Sequence, residues 1–181
     1  MTIAPALLDQ RVPYQDMLIY PTGLLDAIRT TLVDSHRTVA VAESVTAGLL
    51  QNAFSQATDA RLFFQGGITV YNVAQKCRQL DIEPIRAQQD NGVSEWVAIH
   101  LAAHITKAFC SQVGIASVGY AAPVPEKEVM HPFAWYAIYA EGQLLEAACI
   151  AGLDGSPLDN QIHYVKAIIS SAHRLLCHPP S

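Results

Sequence analysis

Apolar positions recur along the chain with two periods, and each change of period marks an element. Leu24, Leu25, Ile28 and Leu32 fall three and four apart, which predicts a helix from a capping Thr22 to about residue 35. Residues 38–42 are a short run of small and β-branched side chains that reads as a buried strand. Glu43, Ser44, Val45, Thr46, Ala47 and Gly48 follow at once, and Leu49, Leu50, Ala53 and Phe54 restore the helical period. Ser44 therefore stands at a strand-to-helix junction. Residues 67–71 read as a second strand, 72–80 as a turn with a short helix, and 82–92 as a polar loop. Ser94 and Glu95 open what should be the longest helix, with Val97, Leu101, Ile105, Ala108 and Phe109 on one face. A third strand spans 115–120, and a polar loop follows from Pro123 to Pro132. Two further apolar runs, 133–140 and 143–150, flank Glu141-Gly142 as a hairpin, and a last helix covers about 160–176.

Strands alternate with helices early and pair antiparallel late. That order predicts a three-layer α/β/α sandwich with a mixed, partly antiparallel sheet. Pro5, Pro13 and Pro21 mark residues 1–21 as an extended arm, leaving 22–181 as a single domain. With 51% hydrophobic and 15% charged residues, 181 residues suffice for a sizeable core and exclude wholesale disorder. A formal charge of -5 argues against nucleic acid as the partner, because coating phosphates needs a basic face. No apolar run approaches the roughly 20 residues that span a bilayer, and Asp9, Gln10 and Arg11 interrupt residues 3–8 before a secretory signal could form. Cys77, Cys110, Cys149 and Cys177 lie far apart without a CxxC pair, a pattern of reduced thiols that points to the cytoplasm.

Three features could carry chemistry. A serine where a strand ends and a helix begins has its hydroxyl near free backbone N–H groups and the positive end of the helix dipole. Ser44 there suits anion binding or a nucleophile, and equally an ordinary helix cap with Thr46 behind it. Lys76 follows the second strand, with Tyr71 and Asn72 between. In a partly dry pocket a lysine loses its proton and serves a serine as base, whereas on the surface it is a solvated charge. His100 and His104, four apart, share a helix face with Trp96 and Lys107; zinc would need a third ligand, and HExxH is absent.

The segments Glu43-Ser44-Val45-Thr46-Ala47-Gly48-Leu49-Leu50 and Phe64-Gln65-Gly66-Gly67-Ile68-Thr69-Val70-Tyr71-Asn72, with Lys76, resemble the C-terminal domain of the CinA competence/damage-inducible family. That family reads approximately E-S-C-T-G-G-L-L, F-x-G-G-x-x-x-Y-s-N-x-x-K, G-x-V-S, T-G-x-A-G-P and a late G-D-R. Gly92-Val93-Ser94-Glu95 supplies the third block and Gly119-Tyr120-Ala121-Ala122-Pro123 the fourth, so the likeness spans about residues 22–176. The resemblance implies a stand-alone nicotinamide-nucleotide amidohydrolase, converting nicotinamide mononucleotide and water to nicotinate mononucleotide and ammonia. It implies Ser44 as nucleophile, Lys76 as base and Tyr71 beside them. Thr46, Ala47, Gly48, Gly67, Asn72, Val118, Gly119 and Ala122 would bind the substrate. No cofactor or metal is implied, and family members are commonly homodimers.

The departures from the pattern also carry expectations. Val45 stands where the family commonly has Cys or Gly, Ala47 and Ala122 replace glycines, and Val118 replaces a threonine whose hydroxyl would face the substrate. The glycine-rich loop has become Val124-Pro125-Glu126-Lys127-Glu128, and Gln161 falls near the position of the phosphate-contacting Arg. Glu126 and Glu128 would repel a phosphate, and losing one charged partner of it costs on the order of 1.5–3 kcal/mol. Deamidation of nicotinamide mononucleotide is therefore expected to be weak. The alternative is a catalytically silent homologue that binds a small ligand, a nucleotide or amide, or a partner protein.

Overall fold

The computed structural model describes residues 19–178, so all but the last three residues of the expected N-terminal arm lie outside them. In chain order the elements are α1 (Thr22–Asp34), β1 (Val39–Glu43), α2 (Leu49–Ser55), β2 (Phe64–Thr69), α3 (Val73–Leu80), α4 (Pro84–Gln89), α5 (Glu95–Ala108), β3 (Val113–Tyr120), β4 (Phe133–Ala140), β5 (Gln143–Ala151) and α6 (Pro157–Cys177). The sheet order is β2-β1-β3-β4-β5. β1 runs parallel to β2 and β3, and β4 lies antiparallel to β3 and β5. The mixed three-layer sandwich read from the sequence is the fold.

Every residue of β1 is buried because helices cover both faces. Val39 and Val41 pack with Leu25, Phe54 and Ile168 from α1, α2 and α6. Ala40 and Ala42 turn the other way, onto Leu80 of α3 and Val97, Leu101 and Ile105 of α5. That second face is built from small residues, with Ala116 and Ala137 beside the two alanines. The helix α5 consequently sits close: a Cβ on Gly114 would lie 2.0 Å from the Ala102 carbonyl oxygen.

Several boundaries differ from the sequence pattern for local reasons. The helix α1 starts after Pro21 without a side-chain cap, so Thr22 is its first residue and not its cap. β2 begins at Phe64 and ends at Thr69, releasing Tyr71 from the sheet. The Gly66-Gly67 pair hides the start of the strand in the sequence, yet a Cβ on Gly67 would meet the Val41 carbonyl oxygen at 2.4 Å. The helix α4 occupies part of the expected polar loop. Glu83 caps it by accepting from the amides of Ile85 (3.0 Å) and Arg86 (2.7 Å), and Pro84 fits its first turn. Only Ala87 of α4 is buried, which erases the apolar period. The longest helix is α6, not α5, with 21 residues opened by a Ser156–Asp159 capping box.

β1 and β2 end level, with Glu43 in register with Thr69 on one side and with Ser117 of the longer β3 on the other. There the fully buried Glu43 carboxylate accepts four hydrogen bonds, from the Thr46 hydroxyl (2.6 Å) and the amides of Gly48 (3.0 Å), Leu50 (2.9 Å) and Gln51 (2.8 Å). A helix start leaves amides without intrahelical acceptors, and a carboxylate at the positive end of the dipole satisfies them. Ala47 (φ 51) and Gly48 (φ 100) take left-handed backbone to close the turn. Glu43→Gln keeps the shape but turns an NH₂ toward these donors. We expect a stability loss of at least about 2 kcal/mol, read from the urea midpoint, and an unchanged midpoint would show that the carboxylate is not the anchor.

Candidate functional site

Ser44 follows the anchored residue directly. Its amide donates to the Ser117 carbonyl at 2.9 Å, extending the β1–β3 ladder by one residue. The side chain lies at a cavity of about 330 Å³ at the carboxyl ends of the parallel strands, where open α/β sheets place their ligands. The chain leaving β2 is tied back by the Val70 amide, which donates to the Glu43 carbonyl at 2.7 Å. Asn72 then caps α3, accepting from the Gln75 amide at 3.0 Å, and so fixes the helix that carries Lys76.

Lys76 is 2% exposed, and its Nζ lies 3.2 Å from Ser44 Oγ. It has no carboxylate within ion-pair distance among the described residues. Burial, and secondarily the positive charge of Lys127, lowers its pKa from the ordinary 10.5 to about 8. The ammonium form donates to Ser44; the neutral amine accepts from it. Among the described residues Ser44 Oγ otherwise reaches only the Tyr71 carbonyl, at 3.5 Å. The amides of Val45 and Thr46 have no acceptor among the described residues.

The opposite wall comes from β3, which outlasts β1 by three residues past Ser117. Helix α6 holds this wall in place. Tyr164 donates to the Tyr120 carbonyl at 3.1 Å, and the fully buried Asn160 donates to the Ala121 carbonyl at 3.0 Å. Gln161 crosses to the other wall and donates to the Val45 carbonyl at 2.9 Å. A short turn at Pro125–Lys127 then brings Lys127 to the cavity, its Nζ 5.6 Å from the centre of the Tyr120 ring.

Of the residues singled out in the sequence, Ser44, Lys76, Tyr71, Gly119, Ala122 and Gln161 line this cavity. Tyr71 stands at its mouth, 71% exposed, and meets Ser44 through its backbone. The other candidate substrate contacts are placed elsewhere. Thr46 is fully buried, donating to Glu43 and accepting from Ser117 Oγ at 2.7 Å. Val118 belongs to the core beneath α5, so its lost hydroxyl would not have faced a ligand. Ala47 and Gly48 form the turn, Gly67 clears β1, and Asn72 caps α3. Glu126 and Glu128 do not line the cavity, whereas Lys127 between them does, which reverses the expected sign of the loop.

Asn91, Val93, Ala121, Lys127 and Pro157 also line the cavity and were not singled out as ligand contacts. They lie at the ends of separate elements that only the topology joins, and no local spacing marks them. His100 and His104 present Nδ1 to the carbonyls of Trp96 and Leu80, and their rings stand 6.1 Å apart. Among the described residues no group of three His, Cys, Asp or Glu side chains is placed to hold a metal, and no helix is long and apolar enough to cross a membrane.

Comparison with known proteins agrees with this architecture. The CinA C-terminal domain family matches residues 22–162. A competence-damage inducible protein of Clostridioides difficile (strain 630), so named putatively, is 31% identical over 127 residues, covering 68% of this chain and 30% of that protein. A namesake from Streptococcus pneumoniae (strain ATCC 700669 / Spain 23F-1) is 33% identical over 102 residues, 56% of this chain and 24% of its own. The chain thus spans about a third or less of the length of these relatives. Among solved structures, a CinA superfamily protein from Enterobacter cloacae superposes with a TM-score of 0.81 at 22% identity, covering 97% of this chain and 99% of the other. One from Escherichia coli gives 0.77 at 23% identity, covering 92% and 93%. With the family matched across the sheet, the Ser44 turn and the start of α6, the chain belongs to the CinA C-terminal domain family.

Proposed function

We propose that the protein is a serine–lysine amidohydrolase that releases ammonia from nicotinamide mononucleotide or a related carboxamide. The observation that carries this is the buried Lys76 amine, 3.2 Å from Ser44 Oγ beside an open cavity. A lysine with a pKa of about 8 is neutral in roughly a tenth of molecules at pH 7, against fewer than about one in a thousand at 10.5. Neutral Lys76 takes the Ser44 proton as Oγ attacks the carboxamide carbon. The amides of Val45 and Thr46, free of other acceptors, are the donors nearest in sequence to the developing oxyanion. The Lys76 ammonium then returns its proton to the leaving nitrogen, freeing ammonia and an acyl-Ser44 ester. Water, deprotonated by the same amine, cleaves that ester to the carboxylate and restores Ser44.

The weak turnover expected from the sequence rested on Ala47, Val118, Glu126, Glu128 and Gln161. Only Gln161 of these lines the cavity, and Lys127 supplies a cation, so the balance favours an active enzyme over a silent binding homologue.

Ammonia release should be measured with nicotinamide mononucleotide and nicotinamide in parallel. Ser44→Ala should lower it by at least about 1000-fold. The kcat/KM of the wild type should rise with pH and level off above about 8, because activity needs Lys76 unprotonated. Turnover that survives Ser44→Ala would overturn the proposal.

The same amine should cost stability. Folding lowers its pKa, so the folded state binds this proton more weakly than the unfolded chain does. The penalty is full below about pH 8 and fades as pH rises toward 10.5. Lys76→Met should abolish turnover yet raise the unfolding free energy at pH 7 by about 1–3 kcal/mol, with the gain shrinking above pH 8. A destabilised Met variant would contradict this.

A further inference from the structure

Among the described residues, Lys76 and Lys127 are the only charged side chains lining the cavity, and no carboxylate lines it. Neither lysine has a carboxylate within ion-pair distance among those residues. Two amines therefore face one space without an anion between them. The loop of Lys127 closes through reciprocal backbone bonds between Val124 and Val129, of 2.8 and 3.2 Å. The side-chain amides of Asn91 and Gln161 share the lining. Room is kept at the Lys76 amine itself. Gly92 packs over it, and a Cβ there would stand 3.3 Å from Nζ. The one hydrogen bond of Nζ runs to Ser44 Oγ, which has the Tyr71 carbonyl as a second partner at 3.5 Å. Turning the Ser44 proton to that carbonyl frees the lone pair of the neutral amine.

We propose that Lys76 is a carbamylation site: dissolved carbon dioxide adds reversibly to its amine, and the carbamate pairs with Lys127 and switches off the base beside Ser44. The Nζ lone pair forms a bond to the carbon of CO2, one C=O electron pair moves onto oxygen, and a proton leaves nitrogen for the solvent. No oxidant or reductant is needed. The step turns two like charges into an ion pair, and the carboxylate formed accepts charge-assisted hydrogen bonds. The Lys127 ammonium and the amides of Asn91 and Gln161 are the donors on that lining. The nitrogen lone pair is then delocalised into the carboxyl group and no longer takes the Ser44 proton. Only this brake rests on the amidohydrolase proposal; the modification does not.

The same surroundings make the addition selective. Only a neutral amine attacks CO2, and burial, with the charge of Lys127 second, brings the Lys76 pKa down to about 8. At pH 7 the neutral fraction of Lys76 exceeds that of a solvated lysine by more than about 100-fold. The titratable groups around it are Lys127 across the cavity, Cys77 beside it on α3 and the Tyr71 phenol at the mouth. Of these, Lys127 favours the modified form twice over, by lowering the pKa of the amine and by offsetting the charge of the carbamate. At fixed dissolved CO2, uptake rises with pH, because addition consumes neutral amine and releases a proton.

The direct test equilibrates the wild type with isotope-labelled bicarbonate near pH 8, traps carbamates as esters with a trialkyloxonium salt and maps them by mass spectrometry. A labelled ester should form on Lys76, with at most traces on Lys107 and Lys166. Lys127→Gln should lower its occupancy about 10-fold, with thermal unfolding unchanged because this side chain is exposed. The rate at which a neutral alkyl fluorophosphonate labels Ser44 should fall in bicarbonate in proportion to that occupancy and recover on degassing. No ester on Lys76, equal trapping on Lys107, an occupancy indifferent to Lys127→Gln, or Ser44 labelling that ignores bicarbonate would each overturn the proposal. Failure of the hydrolase proposal reads differently: Lys76 is trapped as expected, and the protein releases no ammonia from either amide.

Discussion

The site depends on one buried carboxylate. Glu43 is the last residue of β1, and its four hydrogen bonds tie the strand end to the first turn of α2. A charge buried this completely is tolerated only when its lone pairs are filled, and here the donors are the amides that a helix start leaves over. Ser44 inherits the precision of that arrangement because it is the next residue. Ser117 extends the network from β3: the single Thr46 hydroxyl proton goes to Glu43, so the Ser117 hydroxyl donates to Thr46. The strand end, the turn and the neighbouring strand are one hydrogen-bonded unit, and the nucleophile stands on it.

Lys76 is held by the opposite kind of interaction. It is buried without a counter-ion among the described residues and has a single hydrogen bond to Ser44. That arrangement costs folding free energy, and the same cost makes the amine a base near neutral pH. The surrounding frame over-determines its position: Asn72 caps α3 at one end, and α5 and the sheet cover the helix behind. Stability at Glu43 and strain at Lys76 are therefore two sides of the same design, in which a rigid turn presents a hydroxyl to a poorly solvated amine.

Much of this was legible in the sequence, for physical reasons that differ by region. The period change around residues 38–54 located the strand–turn–helix unit and put Ser44 at its junction, because both faces of β1 are buried and α2 buries one side. The resemblance supplied Lys76, which spacing alone left as a surface charge. Val118 and Thr46 were misplaced because a side chain at a strand end points either to the ligand or to the core. The pleat decides which: Val118 faces α5. The sign of the 124–128 loop was unreadable as well. Three charged residues in succession do not say which one faces inward, and the reversal at Glu128 settles it for Lys127. The helix α4 escaped because it buries only Ala87 and is specified by its cap.

Whatever the substrate, the central claim is that Ser44 is a nucleophile activated by Lys76. The most direct measurement is the rate at which a neutral alkyl fluorophosphonate modifies the protein between pH 6 and 10, with the adduct mapped by mass spectrometry. The arrangement predicts a single adduct on Ser44, formed at a rate that rises through an inflection near pH 8 and collapses in Lys76→Met. An unmodified Ser44, or one labelled equally fast in Lys76→Met, would contradict it.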